Sequence, residues 1–305
     1  MLKNLDELRH IIKDVKRKKM AVVFAHDDAV MNAVNDACKL NIIEPILIGD
    51  SAIISKYIQE LSLEPPYQII EEQNPESATK IALDLVNAGE VELIMKGLID
   101  TKILLKGVVN KEYGIREATL LSHVGIVSFP TLDRVLFATD GAMNIEPNVE
   151  EKIMLVQNAV FLAKRLGYHC PKVGMVSAVE KVNPKIKSTL DAKEVVDYFN
   201  KDANKGFLID GPFAIDNLVS MESVHHKGIV SDVAGVADIL VFPNLDGGNI
   251  FYKTSVFLAS GDSAGIIIGA KVPIILTSRA DSRISKLNSI LLAVVNQDGL
   301  LAISH

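Results

Sequence analysis

Pro273-Ile-Ile-Leu-Thr-Ser-Arg-Ala-Asp281 passes from an apolar run straight into two hydroxyls, a guanidinium and a carboxylate. A helical pattern starts at once, because Leu287, Ile290, Leu291 and Val294 recur at the spacing of one helix face. A strand-to-helix turn of this composition is a natural anion site. The helix N-terminus offers N–H groups without partners, and arginine offers a forked double hydrogen bond to phosphate. The same residues also have an ordinary reading, in which Thr277, Ser278 or Asp281 caps the helix and Arg279 pairs on the surface.

Working back from that stretch, the same strand-then-helix unit repeats. Met20-Ala-Val-Val-Phe24 reads as a buried strand, and Asp27 or Asp28 caps a helix with Val30, Ala33, Val34 and Ala37 on one face. Pro45–Ile48 is the next strand, with a helix from Asp50 or Ser51, and Gln68–Glu71 is the third. Pro75 then sits in the first turn of a helix that carries Ala78, Ile81, Ala82 and Leu85. A strand over 92–95 and a helix over 102–109 follow. Short apolar strands alternating with amphipathic helices imply parallel pairing, since parallel strands need crossover connections. The fold class is therefore α/β.

Between His123 and Thr139 the pattern changes. Strands over 124–129 and 135–138 leave no room for a helix and predict a hairpin, and the domain change is placed there. A long helix then carries Ile153, Val156, Val160 and Ala163. Strand 172–176, helix 184–200, strand 206–209, helix 213–225, strand 238–242, helix 247–259 and strand 264–268 complete a second alternating unit. The opening segment from Leu2 to Lys19 reads as a charged helix whose Lys16-Arg-Lys-Lys19 end matches the helix dipole. A minority reading has this run helping to hold a polyanionic ligand such as coenzyme A.

Composition narrows the function classes. The chain has 305 residues, 49% of them hydrophobic, enough for two domains or one large one. A net charge of -6 argues against nucleic-acid binding. No stretch approaches the roughly 18 apolar residues of a membrane span. Cys38 and Cys170 are far apart and without metal spacing, which suits a reducing cytosol, so a soluble cytoplasmic protein is expected.

Candidate ligand positions follow from the strand ends. Asp140-Gly141, Asp210-Gly211 and Asp246-Gly247 each come just after an apolar run. In open α/β sheets ligands gather outside the carboxyl ends of strands, so these pairs and the Ser278 turn are candidates for one shared cleft. Ordinary turn chemistry explains most Asp-Gly pairs as well. Gly261-Asp-Ser-Ala-Gly265 matches the nucleophile elbow of hydrolases, but here a helix precedes it and a strand follows, the wrong context. Adjacent His225 and His226 would point about 100° apart on a helix and suit one metal poorly. Neither dinucleotide nor P-loop glycine fingerprints occur.

Taken together, Lys96-Gly-Leu-Ile-Asp-Thr101, Asp140-Gly-Ala-Met-Asn144, Asp210-Gly-Pro-Phe213, Pro243-Asn-Leu-Asp-Gly-Gly-Asn-Ile-Phe-Tyr-Lys253 and Thr277-Ser-Arg-Ala-Asp-Ser282 resemble the phosphate acetyl/butyryltransferase family. The match runs in order over nearly the whole chain, and its first and last motifs have the form typical of the butyryl branch. The resemblance implies two α/β domains flanking a cleft, akin to isocitrate and isopropylmalate dehydrogenases. The C-terminal helix would return to the first domain, so that 1–133 with 278–305 forms one domain and 134–277 the other. It implies exchange of a short acyl group, butyryl foremost, between coenzyme A and inorganic phosphate. No metal and no bound prosthetic group would take part, and the protein would be a homo-oligomer.

The resemblance carries acyl-phosphate contacts onto Ser278 and Arg279, and substrate binding onto Thr101, Asp140, Asn144, Asp210, Asn249, Tyr252 and Lys253. The family's basic aspartate, seven positions after the serine, falls on Ser285 here, which leaves Asp281 as the candidate base. The chemistry agrees: thioester and acyl phosphate exchange through a tetrahedral centre whose oxygen becomes negative, and fixed donors at that point contribute most of the acceleration. Ser278 or a backbone N–H would donate, Arg279 would hold phosphate, and Asp281 would take the thiol proton in the reverse direction. Neither cysteine lies in a carrier motif, so direct transfer in a ternary complex is expected. The alternatives are acetyl as the acyl group, a metal-dependent hydroxyacid dehydrogenase of related fold, and a non-catalytic acyl-CoA-binding protein.

Overall fold

The computed structural model of the chain describes residues 2–12, 15–278 and 280–298. Its elements, in order, are α1 (Glu7–Ile11), β1 (Lys18–Val23), α2 (Asp28–Lys39), β2 (Ile43–Gly49), α3 (Ser51–Leu61), β3 (Gln68–Glu71), α4 (Pro75–Asn87), β4 (Leu93–Lys96) and α5 (Thr101–Val108). Then come β5 (Ser122–Phe129), β6 (Leu132–Thr139), α6 (Val149–Arg165), β7 (Lys172–Val176), α7 (Lys187–Phe199), β8 (Leu208–Phe213), α8 (Ile215–Val219) and α9 (Met221–Lys227). The last are β9 (Ile239–Val241), α10 (Leu245–Phe257), β10 (Asp262–Ile268), β11 (Ile274–Ile275) and α11 (Arg283–Asp298). The chain is mixed α/β, as the alternating pattern requires.

Two compact units divide it. One holds Asp6–Leu121 with the chain from Ala264 onward, and the other holds Ser122–Ser263 with the residues up to Leu5. These divisions fall before the hairpin and before the end of β10, whereas the sequence placed the changes at 133/134 and 277/278. β5 and β6 pair across the hairpin from Gly125↔Ala138 to Phe129↔Leu132 and lie in the same unit.

In the first unit the strand order is β3-β2-β1-β4-β11-β10. All pairs are parallel except β10 with β11, so β1 to β4 and β11 end on one edge. Side-chain caps start the helices at that edge. Asp27 accepts from the Val30 N–H at 2.9 Å, Asp50 from Ala52 and Ile53, and Asn74 from Ser77 just ahead of Pro75. Of the alternatives Asp27 or Asp28, and Asp50 or Ser51, the first of each is the cap. Helix α11 packs on α2. Every residue from Ser285 to Asn296 is buried, so α11 is a core helix rather than one with a single apolar face.

The second unit has the order β5-β6-β9-β7-β8, with β6, β9, β7 and β8 parallel. Its core joins Leu136, Val176, Phe213, Leu218, Leu240 and Phe242. Asn148 and Glu151 close a capping box at the start of α6. The single helix expected over 213–225 is two short ones, because Ser220 is extended and its hydroxyl caps α9 through the Ser223 N–H. The long opening helix is also corrected. Among the described residues of that segment only Glu7–Ile11 is α-helical, and Lys18 and Lys19 open β1. Lys18 is no solvated helix end: it is buried, with its ammonium 3.0 Å from Glu92 and 2.5 Å from Asp298. Burial pushes its pKa down, but the two carboxylates outweigh that and leave it raised.

Candidate functional site

In the first unit the turn after β11 is built by reciprocal hydrogen bonds. The Ser278 N–H donates to Asp281 Oδ2 at 2.7 Å, and the Asp281 N–H returns to the Ser278 carbonyl at 3.1 Å. Ser278 Oγ accepts from the Ala280 N–H at 3.3 Å, which leaves the hydroxyl proton to donate elsewhere. Arg279, the guanidinium expected to hold phosphate, lies outside the described residues. Ser282 caps the helix, its Oγ accepting from the Ser285 N–H at 3.1 Å. Ser285, the position of the family's aspartate, is buried in the first turn of α11.

Lys286, which the motif reading passed over, sits under this turn. It is 1% exposed, and its ammonium donates to the carbonyls of Ser278 at 2.8 Å and Asp281 at 3.0 Å. Burial pushes its pKa below the usual lysine value, against the opposing charges of Asp281 and Asp27. A signal was present: Lys286 stands four residues before Ile290 and eight before Val294, a lysine on a face otherwise apolar. On the neighbouring strand, buried Lys96 donates to the Ile99 carbonyl at 3.0 Å and shapes the loop that leads to Thr101. Thr101 is the first residue of α5, directly after its cap Asp100.

The second unit holds the other expected contacts. Asp140 follows β6 and is 1% exposed. Its Oδ1 accepts from the Ala142 and Met143 N–H groups, and its Oδ2 from the His123 N–H and from Asn144 Nδ2 at 2.6 Å. Four donors on two oxygens make Asp140 the organiser of its own loop. That loop is latched to α10, because Asn249 Nδ2 donates to the Gly141 carbonyl at 3.1 Å and the Leu245 N–H to that of Ile145 at 3.0 Å. Asp140, Asn144 and Asn249 are thus brought together. Tyr252 shares a hydrogen bond with Ser263 Oγ at 3.1 Å, and the Lys253 ammonium lies over the rings of Tyr252 and Phe257.

Asp210 is apart from these: it lies in β8, separated from β6 by two strands, on the wall of a cavity of about 510 Å³ with Glu180, Lys227 and Ile229. Asp246 lies in the first turn of α10, whose cap Asn244 accepts from the Gly247 N–H. Among the described residues no three His, Cys, Asp or Glu side chains converge as a metal-ligand set, and no helix is long and apolar enough to cross a membrane. His225 and His226 are exposed at the end of α9. Cys38 is largely buried and its thiol is pushed up to about 12 by burial, while Cys170 is exposed.

The chain matches a family profile described as phosphate acetyl/butaryl transferase over residues 66–294. It is 41% identical over 296 residues to a phosphate butyryltransferase of Clostridium beijerinckii, covering 97% of this chain and 98% of that one. It is also 41% identical over 280 residues to a phosphate acetyltransferase of Thermotoga maritima, covering 92% and 95%. Among solved structures, a branched-chain phosphotransacylase from Enterococcus faecalis superposes with a TM-score of 0.83 at 31% identity, over 92% of this chain and 99% of that one.

Proposed function

Since this chain belongs to the phosphate acetyl/butyryltransferase family, we propose that it transfers a short-chain acyl group, butyryl foremost, between coenzyme A and inorganic phosphate. Acyl-CoA and phosphate give acyl phosphate and the free thiol, or the reverse. The observation that carries the reading is 41% identity over 97% of the chain to a phosphate butyryltransferase, beside a turn in which Ser278 and Asp281 exchange hydrogen bonds.

In this reading phosphate, held by Arg279, attacks the thioester carbonyl, and the developing oxyanion takes a hydrogen bond from the Ser278 hydroxyl. The thiolate of coenzyme A leaves and becomes the free thiol by taking the proton that phosphate gives up, passed through Asp281. In the reverse direction Asp281 removes the thiol proton, and its bond from the Ser278 N–H keeps base and donor in fixed relation. Asp140, with both oxygens filled, orients the loop that carries Asn144 rather than moving a proton. Thr101, Asp210, Asn249, Tyr252 and Lys253 complete the proposed substrate contacts. The reading also carries a two-domain arrangement of the isocitrate dehydrogenase kind, direct transfer without metal or prosthetic group, a cytoplasmic location and a homo-oligomer.

A second reading, with acetyl as the group transferred, is favoured by the equal identity to the Thermotoga maritima acetyltransferase. The experiment measures thiol release from acetyl-, propionyl-, butyryl- and hexanoyl-CoA at fixed phosphate without added metal. Each methylene that finds a matching apolar pocket contributes roughly 1–3 kcal/mol, so a maximum at butyryl of tenfold or more over acetyl is expected. A maximum at acetyl selects the second reading. No thiol release from any of the four overturns acyl transfer.

A further inference from the structure

We propose that Lys286 is a positioning residue for the phosphate end of the reaction, its ammonium holding the Ser278–Asp281 turn in the shape that receives the anion. This rests on the reading of that turn as the phosphate site. The ammonium is buried and donates to the carbonyls of Ser278 and Asp281, the two ends of the turn. A trans peptide is planar, with C=O and N–H opposed. Drawing the Asp281 carbonyl onto Lys286 therefore aims the Ser282 N–H away from the lysine.

A buried ammonium is costly to desolvate, and an aliphatic side chain of similar length would fill the same space in α11 without that cost. The charged groups that act on it are Asp281 in the turn and Asp27 at the cap of α2. Both of these also cap or close backbone, Asp27 through the Val30 N–H and Asp281 through the Ser278 N–H. What the ammonium adds beyond packing is two hydrogen bonds to the turn and a positive charge beside it.

The test compares wild type with Lys286→Met, which keeps length and helix propensity but removes charge and donors, and with Lys286→Gln, which keeps a neutral donor. Steady-state kinetics give separate KM values for phosphate and acyl-CoA, and calorimetry gives phosphate binding without turnover. Lys286→Met is expected to raise phosphate KM and Kd at least tenfold, the size of one charge-assisted hydrogen bond, with acyl-CoA KM within twofold. Lys286→Gln should fall between the two. A loss confined to kcat with both KM values unchanged is the mark of a smaller folded fraction and overturns the proposal, as does an equal rise in both KM values. If Lys286→Met does not fold, Lys286→Gln carries the test. If neither folds, Lys286 is a folding residue and the proposal fails. A wild type whose phosphate binding is weakened by Lys286→Met yet that releases no thiol would refute the acyl-transfer reading and spare this one.

Discussion

Gly247 and Gly248 are neighbours in the first turns of α10, yet the same change to alanine should act in opposite directions at the two positions. A Cβ at Gly248 would lie 2.3 Å from the Asp140 carbonyl oxygen and 2.8 Å from Gly141 Cα. Both are backbone atoms, so no rotamer change relieves the clash. A Cβ at Gly247 meets nothing closer than Asn244 Oδ1 at 3.4 Å, an ordinary contact. Alanine in place of a helical glycine contributes up to about 1 kcal/mol. Forced overpacking costs about 1–3 kcal/mol, and moving α10 away would stretch the Asn249–Gly141 and Leu245–Ile145 hydrogen bonds.

Gly248→Ala should therefore lose roughly 1–2 kcal/mol net, and Gly247→Ala should gain a few tenths to about 1 kcal/mol. In a unit of this size each kcal/mol moves the melting temperature by roughly 2–4 °C. Calorimetry on the purified chain would read a fall of roughly 2–8 °C for the first variant and no fall for the second. The Gly248 variant should also lose turnover, because the Asp140–Asn249 latch carries proposed substrate contacts. A Gly248→Ala protein melting at or above wild type would refute the close approach.

Asp281→Asn keeps an acceptor for the Ser278 N–H, so the fold should survive while the pH-dependent rate of thiol attack on acyl phosphate drops at least 100-fold, the usual size of general-base assistance; normal turnover with lowered thermal stability would mark Asp281 as structural. Arg279→Lys should raise phosphate KM and lower kcat through loss of the planar fork, and unchanged phosphate kinetics would remove Arg279 from the site. His26 Nε2 accepts the Asp50 N–H at 2.7 Å, and burial holds its pKa below the usual histidine value against the charges of Asp50 and Glu71. The unfolded chain then binds more protons than the folded one. This contribution is fully present above about pH 6.5 and is lost as pH falls below it, so His26→Gln should flatten the acid side of a melting-temperature profile. Cys38 should react with a thiol reagent far more slowly than Cys170 at pH 8, and the Cys38→Ala, Cys170→Ala double variant should retain kcat; loss of turnover there would argue against direct transfer.

Strand and helix positions were legible in the sequence because they depend on local chemistry. Asp27, Asp50, Asn74 and Asn148 cap helices through N–H groups two or three residues away, and Pro75 sits where its missing donor costs nothing. The hairpin was equally local, since Pro130-Thr131 is all that separates β5 from β6. The family motifs likewise mark which turns carry polar groups. The opening segment misled because its charges at helical spacing have a stronger competitor: Lys18 finds Glu92 and Asp298, far away in sequence, and opens a strand instead.

What each motif residue does was decided by contacts that periodicity cannot encode. Asp140 reads as a turn residue or a substrate contact until the hairpin brings the His123 N–H to it and the following loop folds back on both oxygens. Asp281 reads as a cap until Ser282 takes that role, and Asp281 instead closes the turn on Ser278. Lys286 carries no motif in the sequence, and its part is visible only once Ser285 to Asn296 are buried and its ammonium meets the carbonyls of Ser278 and Asp281. Local propensity and capping act over a few residues and survive in the string of letters; burial, hydrogen-bond saturation and the desolvation of a charge are set by residues distant in sequence, so only the tertiary structure assigns them.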